Sequence, residues 1–152
     1  MLPDTVLEKI NFELESIERE LSETRNLFEK LRHSSPDSVE IRAAATSLHA
    51  FYNGIENIFA ALARQVDGVI PDGDRWHYTL LRDMCMSTDK RGQVISVELK
   101  QTLEQYLAFR HFFRHSYGFV LDWEQLRPLC VNRAEIFKRL KAELEDFLSR
   151  KF

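Results

Sequence analysis

The stretch Phe109-Arg110-His111-Phe112-Phe113-Arg114-His115-Ser116-Tyr117-Gly118 carries the groups best suited to chemistry. From Gln105 to Leu121 the chain has two arginines, two histidines and no acid, in a protein whose formal charge is −3. A guanidinium fork grips phosphate oxygens and an imidazole exchanges a proton near neutral pH, so the combination suits phosphate chemistry. Another origin stays open, because basic residues in a helix's last turn are stabilised by the dipole and the free carbonyls there. An anion gains nothing at that end of a helix, so arginine would have to do the holding. At about 100° per residue, Arg110 and Tyr117 lie within about 20° of each other, while His115 is turned from Arg110 by about 140°. One regular helix therefore does not aim Arg110 and His115 at the same atom. Either the helix loosens near Gly118, or a second copy of the segment completes the site across a two-fold axis.

Glu56 is the second unusual residue, the only formally charged side chain between Arg42 and Arg64. If buried it needs a cationic or donor partner, for which Arg110 or Arg114 is the natural candidate; otherwise it sits on an exposed helix edge. His77, between Trp76 and the Leu80-Leu81 pair, reads as a hydrogen-bonded packing residue. His111 and His115 stand at i,i+4, yet no HExxH and no nearby Cys or Asp ligand set supports a metal. The chain has no P-loop, GxGxxG or GxSxG. No metal and no cofactor is expected.

The elements that must position these groups follow from apolar spacing. Leu7, Ile10, Leu14, Ile17, Leu21, Phe28 and Leu31 step by three and four, with Thr24 at the one missing place, and predict a helix near coiled-coil spacing. Its remaining faces are acidic, with eight acids and three bases from Asp4 to Glu29. HSSPDS at 33–38 breaks it, and Pro36 fits the first turn of a second helix carrying Ile41, Ala45, Leu48, Tyr52, Ile55, Phe59, Leu62 and Val66. The two predict an antiparallel hairpin. A shorter helix follows over WHYTLLRDMCM with Asp74 as N-cap. A fourth, capped by Ser96, runs towards Gly118 as its left-handed C′ residue. Pro128 should kink or end a piece over 122–131, and the capping box Asn132-Arg-Ala-Glu135 should open the last helix. VISVEL at 94–99 is too short to make a sheet alone. The expected fold is all-α, an antiparallel bundle of four main helices plus short ones, in a single domain over 1–152.

Composition narrows the setting. With 152 residues, 44% apolar and 30% charged, and only five Gly and four Pro, the chain is neither low-complexity nor largely disordered. A net charge of −3 excludes blanket coating of nucleic acid, leaving only a local basic patch. Cys85 and Cys130 form no framework, which suggests a reducing compartment. No signal peptide and no apolar run of membrane-spanning length is visible, so the expected location is the cytoplasm.

The stretch 110–117, Arg-x4-His-x-Tyr, resembles the signature of the HEPN superfamily, specifically of the HepT-like ribonuclease toxins. YNGIENIF at 52–59, WHYTLLRDM at 76–84, FRHFFRHSYGF and LDWEQLRPL resemble the corresponding segments of one HepT-like subgroup, from about residue 45 onward. The resemblance implies a helical homodimer with two Arg-His motifs at its cleft, acting as a metal-independent endoribonuclease, with tRNA among its candidate substrates. It implies that Arg110 neutralises the scissile phosphate and that His115 is the general base or acid. Tyr117 would receive AMP from a nucleotidyltransferase antitoxin, Glu56 would support the site, and Arg114 and His111 would contact RNA. A competing reading is a non-enzymatic helical subunit that binds and assists a nucleotidyltransferase. A third is a structural module using only the 7–31 seam.

Overall fold

The computed structural model describes residues 2–150, and at Phe119 the backbone alone; Met1, Lys151 and Phe152, the ends of the expected 1–152 domain, lie outside the described residues. Six α-helices follow in order: α1 Asp4–Glu23, α2 Arg25–Leu31, α3 Ser38–Leu62, α4 Trp76–Met84, α5 Val97–Arg114 and α6 Trp123–Ser149. No strand occurs among the described residues, and the last residues of VISVEL open α5. The four long helices form the bundle, and no helix is long and apolar enough to cross a membrane among the described residues.

Helix α3 is the central post. Thirteen of its 25 residues are buried, and it packs against α1, α4, α5 and α6. Leu48, Phe51, Tyr52, Ile55, Phe59 and Leu62 carry no more than 1% of their surface to water, each contributing about 1.5–3 kcal/mol on burial. Against them lie Ile10 and Ile17 of α1, Leu80 and Leu81 of α4, Leu103 and Tyr106 of α5, and Leu140 and Leu144 of α6. The start of α3 is fixed by a capping box, Glu40 N–H donating to Asp37 Oδ1 at 2.8 Å and Asp37 N–H to Glu40 Oε1 at 3.1 Å. Pro36 therefore precedes the cap instead of standing in the first turn.

Five other boundaries differ from the periodic reading. The first helix is interrupted at Thr24 (φ −104°, ψ 8°), whose hydroxyl donates to Glu20 O at 2.6 Å and accepts from Arg133 Nη2 at 2.7 Å. Helix α3 ends at Leu62 in a wider π-type turn over Ala63–Asp67, closed by left-handed Gly68 (φ +80°). Helix α4 starts after Arg75 without a side-chain cap, because Trp76 N–H bonds Gly73 O instead of the Asp74 carboxylate. Helix α5 keeps its Ser96 cap, the hydroxyl accepting from Leu99 N–H at 3.1 Å, but closes at Arg114 with His115 as C-cap. Gly118 is not left-handed; it begins a short 3-10 turn, Gly118–Val120, where a Cβ would overlap the Arg42 side chain.

Helix α6 runs unbroken through Pro128 and past Asn132. Pro128 is the sixth residue of the helix, and the carbonyl it leaves unbonded is that of exposed Glu124, which water reaches. Downstream, Arg133 locks the continuous helix to the core. It is 3% exposed, donates to Ser47 Oγ at 2.9 Å and to Thr24, and lies 3.3 Å over the Phe28 ring. An Asn132 cap has no role inside that helix.

Candidate functional site

On α3, residues 49, 53 and 56 are spaced by four and three, which puts His49, Asn53 and Glu56 on one stripe. That stripe meets Arg110 of α5 and His77 in the first turn of α4. Arg110 Nε donates to Asn53 Oδ1 at 2.5 Å, and its Nη2 stands 3.8 Å from Glu56 Oε1. Glu56 Oε2 is 2.8 Å from His77 Nδ1, and that same nitrogen is 3.4 Å from Arg110 Nη1. On the other side, Asn53 Nδ2 lies 3.3 Å from His49 Nδ1. Three helices are thus tied by one polar chain running His49, Asn53, Arg110, Glu56, His77.

The chain is buried enough to matter energetically. Glu56 is 6% exposed, which excludes the exposed-edge reading and gives it the cationic partner its position demands. The Arg110 side chain is 11% exposed, so it faces the bundle and shows only an edge to water. His77 stacks on Trp76 with ring centroids 3.7 Å apart, which fixes its plane, and it is the hydrogen-bonded packing residue expected. Burial, with Arg110 and Arg114 nearby, holds the His49 imidazole below its ordinary value of 6.5, favouring the neutral ring. Burial first, then the Glu56 charge, pushes the Tyr52 phenol beneath this chain well above the ordinary tyrosine range.

The remaining motif residues lie outside the bundle. His111, Arg114, His115 and Tyr117 are exposed, with Tyr117 at 76%. The His111 and His115 rings contact each other at 4.8 Å between centroids. Among the described residues Arg110 is held by α3 and α4, whereas His115 rests on His111. A groove of about 570 Å³ between α5 and α6 is lined by Phe109, Phe112, Val120, Leu126 and Leu129 among others, but by none of Arg110, Arg114 or His115. No group of three or more His, Cys, Asp or Glu side chains able to hold a metal occurs among the described residues.

His49 and Asn53 are the network members that the charge pattern does not reveal. Their signal is nonetheless present: His49, Asn53 and Glu56 form a polar 4-3 series along α3 among the apolar residues Phe51, Ile55, Ile58 and Phe59. A polar stripe turned towards the bundle needs partners, and Asn53 and Glu56 find Arg110 and His77, while His49 Nε2 is buried with none among the described residues.

A family model described as HepT-like protein matches residues 43–151. The match takes in most of α3 and all of α4, α5 and α6, and so every member of the polar chain and the whole 110–117 stretch. No curated protein and no solved structure matches the chain. Helices α1 and α2 precede the matched region, against which α1 packs through α3. With 109 of its 152 residues inside that match, the chain belongs to the HepT-like family.

Proposed function

We propose that this protein is a metal-independent endoribonuclease of the toxin–antitoxin type, cutting RNA by internal transesterification. The reading is carried by one observation: the family match spans Arg110, His115 and Tyr117. The burial of the Arg110 guanidinium against Asn53, Glu56 and His77 adds support, because it pre-orients a cation at no cost during reaction. In the reaction the RNA 2′-hydroxyl loses its proton to a neutral imidazole and attacks phosphorus. The 5′-oxygen leaves with a proton from an imidazolium, and a 2′,3′-cyclic phosphate remains. His115 takes one of these proton-transfer roles, and Arg110 neutralises the charge gathering on the phosphate oxygens. Exposed Arg114 and His111 hold the flanking backbone.

Among the described residues Arg110 is held by α3 and α4 while His115 rests on His111, which supports a working site that pairs one copy's arginine with its mate's histidine in a homodimer. The exposed phenol of Tyr117 suits modification. Its oxygen attacks the α-phosphorus of ATP on a nucleotidyltransferase antitoxin, pyrophosphate leaves, and the bound AMP competes for the same arginines. This activity belongs in the cytoplasm, with RNA as substrate and no membrane partner.

The purified protein incubated with RNA in EDTA is expected to give cyclic-phosphate ends, and His115→Ala to abolish cleavage with an unchanged helical spectrum. Cleavage that requires a divalent metal, or survives His115→Ala, overturns the mechanism. A monomer by light scattering at micromolar concentration overturns the paired site. Absence of cleavage together with tight binding of a nucleotidyltransferase would instead favour the assisting-subunit reading.

A further inference from the structure

The contact between Asn53 and His49 carries information beyond its own length, because Arg110 dictates which way the amide faces. A guanidinium only donates and does not lose its proton in proteins, so the Asn53 atom 2.5 Å from Arg110 Nε has to be the carbonyl oxygen. The other end of the amide, 3.3 Å from His49 Nδ1, is then the NH2 group, which also only donates. His49 Nδ1 must therefore accept, and the imidazole proton sits on Nε2. Protonating His49 would set an N–H against an N–H. Asn53 could relieve that clash only by flipping, and a flip would turn its NH2 group onto Arg110 Nε.

We infer that His49, as the neutral Nε2–H tautomer, is a positioning residue that orients Asn53 and through it Arg110, and that protonation of His49 releases the guanidinium. The groups facing this relay are few. From α5, Arg110 and Arg114 face the imidazole and Phe113 lies against it, ring centroids 5.4 Å apart. From α3, Asn53 bonds it. Beyond Arg110 stand Glu56 of α3, whose carboxylate is 3.8 Å from Nη2, and His77 of α4, whose Nδ1 is taken by Glu56 at 2.8 Å, so that Asn53 is the closest hold on the guanidinium. The two cations oppose a third charge on His49, as does its burial, so the relay is set at neutral pH and breaks on acidification. The consequence for RNA cleavage rests on the ribonuclease reading above, whereas the tautomer and the release do not.

Long-range proton–nitrogen correlation spectra of the isotopically labelled full chain test this directly. The expected result is a His49 ring protonated at Nε2 alone and an Arg110 Nε–H protected from solvent exchange. That protection should be lost on acidification at the His49 midpoint, below pH 6.5. A proton on Nδ1 at neutral pH, or protection unchanged through the His49 titration, overturns the inference, and neither observation depends on a variant folding. His49→Gln can still offer a carbonyl to Asn53 but cannot titrate, so its Arg110 protection should persist below the wild-type midpoint. If His49→Gln releases Arg110 at the wild-type midpoint, the titrating group is Glu56 or His77 and the inference fails.

His49→Phe should lose the protection already at neutral pH. Where RNA is cleaved, His49→Phe should lower kcat by about 10-fold or more with a smaller change in KM, as expected for a misaimed group, and His49→Gln should restore most of it. Absence of cleavage in the wild type would count against the ribonuclease reading and leave the spectroscopic result to decide this one.

Discussion

Removing the charge of Glu56 probes the junction on which the site depends. Glu56→Gln keeps volume and hydrogen-bonding capacity but discards the anion that faces both His77 and Arg110. Breaking one side of a buried ion pair costs about 3–5 kcal/mol when the remaining charge has nothing else. Here the cost is smaller for three reasons. Arg110 keeps Asn53, its Glu56 contact is long at 3.8 Å, and the His77 side chain is 21% exposed. What remains is one charge-assisted hydrogen bond at 2.8 Å, about 1.5–3 kcal/mol, so a loss of about 2 kcal/mol is expected.

Glu56→Ala should lose about 0.8 kcal/mol more, from the one buried methylene, Cγ, that alanine lacks. For a chain of this size a 2 kcal/mol loss lowers Tm by about 4–8 °C. Urea melts followed by far-UV circular dichroism measure both variants. A cycle with His77→Ala should return about 1–2 kcal/mol of coupling. Glu56→Gln as stable as the wild type, with zero coupling to His77, would show that the carboxylate contributes no net stability. The account of the polar chain as a structural tie would then be wrong.

Two further substitutions examine packing and titration. A Cβ at Gly54 would lie 2.7 Å from Ile17 Cγ1 and 2.9 Å from Ile17 Cδ1, so Gly54→Ala overpacks the α1–α3 contact. The cost of about 1–3 kcal/mol exceeds the helix-propensity gain of about 1 kcal/mol, giving a net loss of about 1 kcal/mol in urea melts, whereas a gain would contradict the close approach. Burial pushes the Cys130 thiol up to about 12, so a thiol reagent at neutral pH should modify half-buried Cys85 in the folded protein and reach Cys130 only on unfolding. The folded state holds that proton longer than the unfolded chain, whose thiol titrates near 9. Cys130 therefore removes stability as pH rises from about 9 to about 12. The comparison with Cys130→Ala carries the test: the variant should lose less stability over that window than the wild type.

Periodicity made the bundle readable because each long helix buries a single stripe, and Leu48, Tyr52, Ile55 and Phe59 are buried where the spacing puts them. The break at Thr24 was legible only as a missing apolar residue. There Thr24 accepts from Arg133, 109 positions away, a partner that no local pattern reaches. Pro128 misled for a related reason: proline's cost depends on whether the orphaned carbonyl can find water, a property of burial and not of sequence. In the site, Glu56 was conspicuous because a lone carboxylate in an apolar helix must be paired or exposed. His49 and Asn53 carry no formal charge at neutral pH, and their importance arises only when the α3–α5 register brings Arg110 between them and Glu56.

The angular argument about Arg110 and His115 holds for one regular helix only, and the loosening towards Gly118 that it left open begins at Arg114. A helical wheel relates side chains only while the backbone remains helical, and α5 stops at Arg114. Arg110 lies inside the regular helix, so its direction is set by packing against α3 and α4. His115, at the C-cap with φ −116°, takes its direction from the turn that closes the helix, and Tyr117 from its own extended backbone. The expected 20° and 140° offsets thus apply to neither. On the proposed reading, placing the arginine inside the helix and the histidine and tyrosine just beyond it separates two demands: a pre-oriented cation held by the bundle, and exposed groups that a substrate or a modifying enzyme would reach. Extending α5 by one turn would merge them and bring His115 under helical constraint, so the early close at Arg114 is itself part of how the site is arranged.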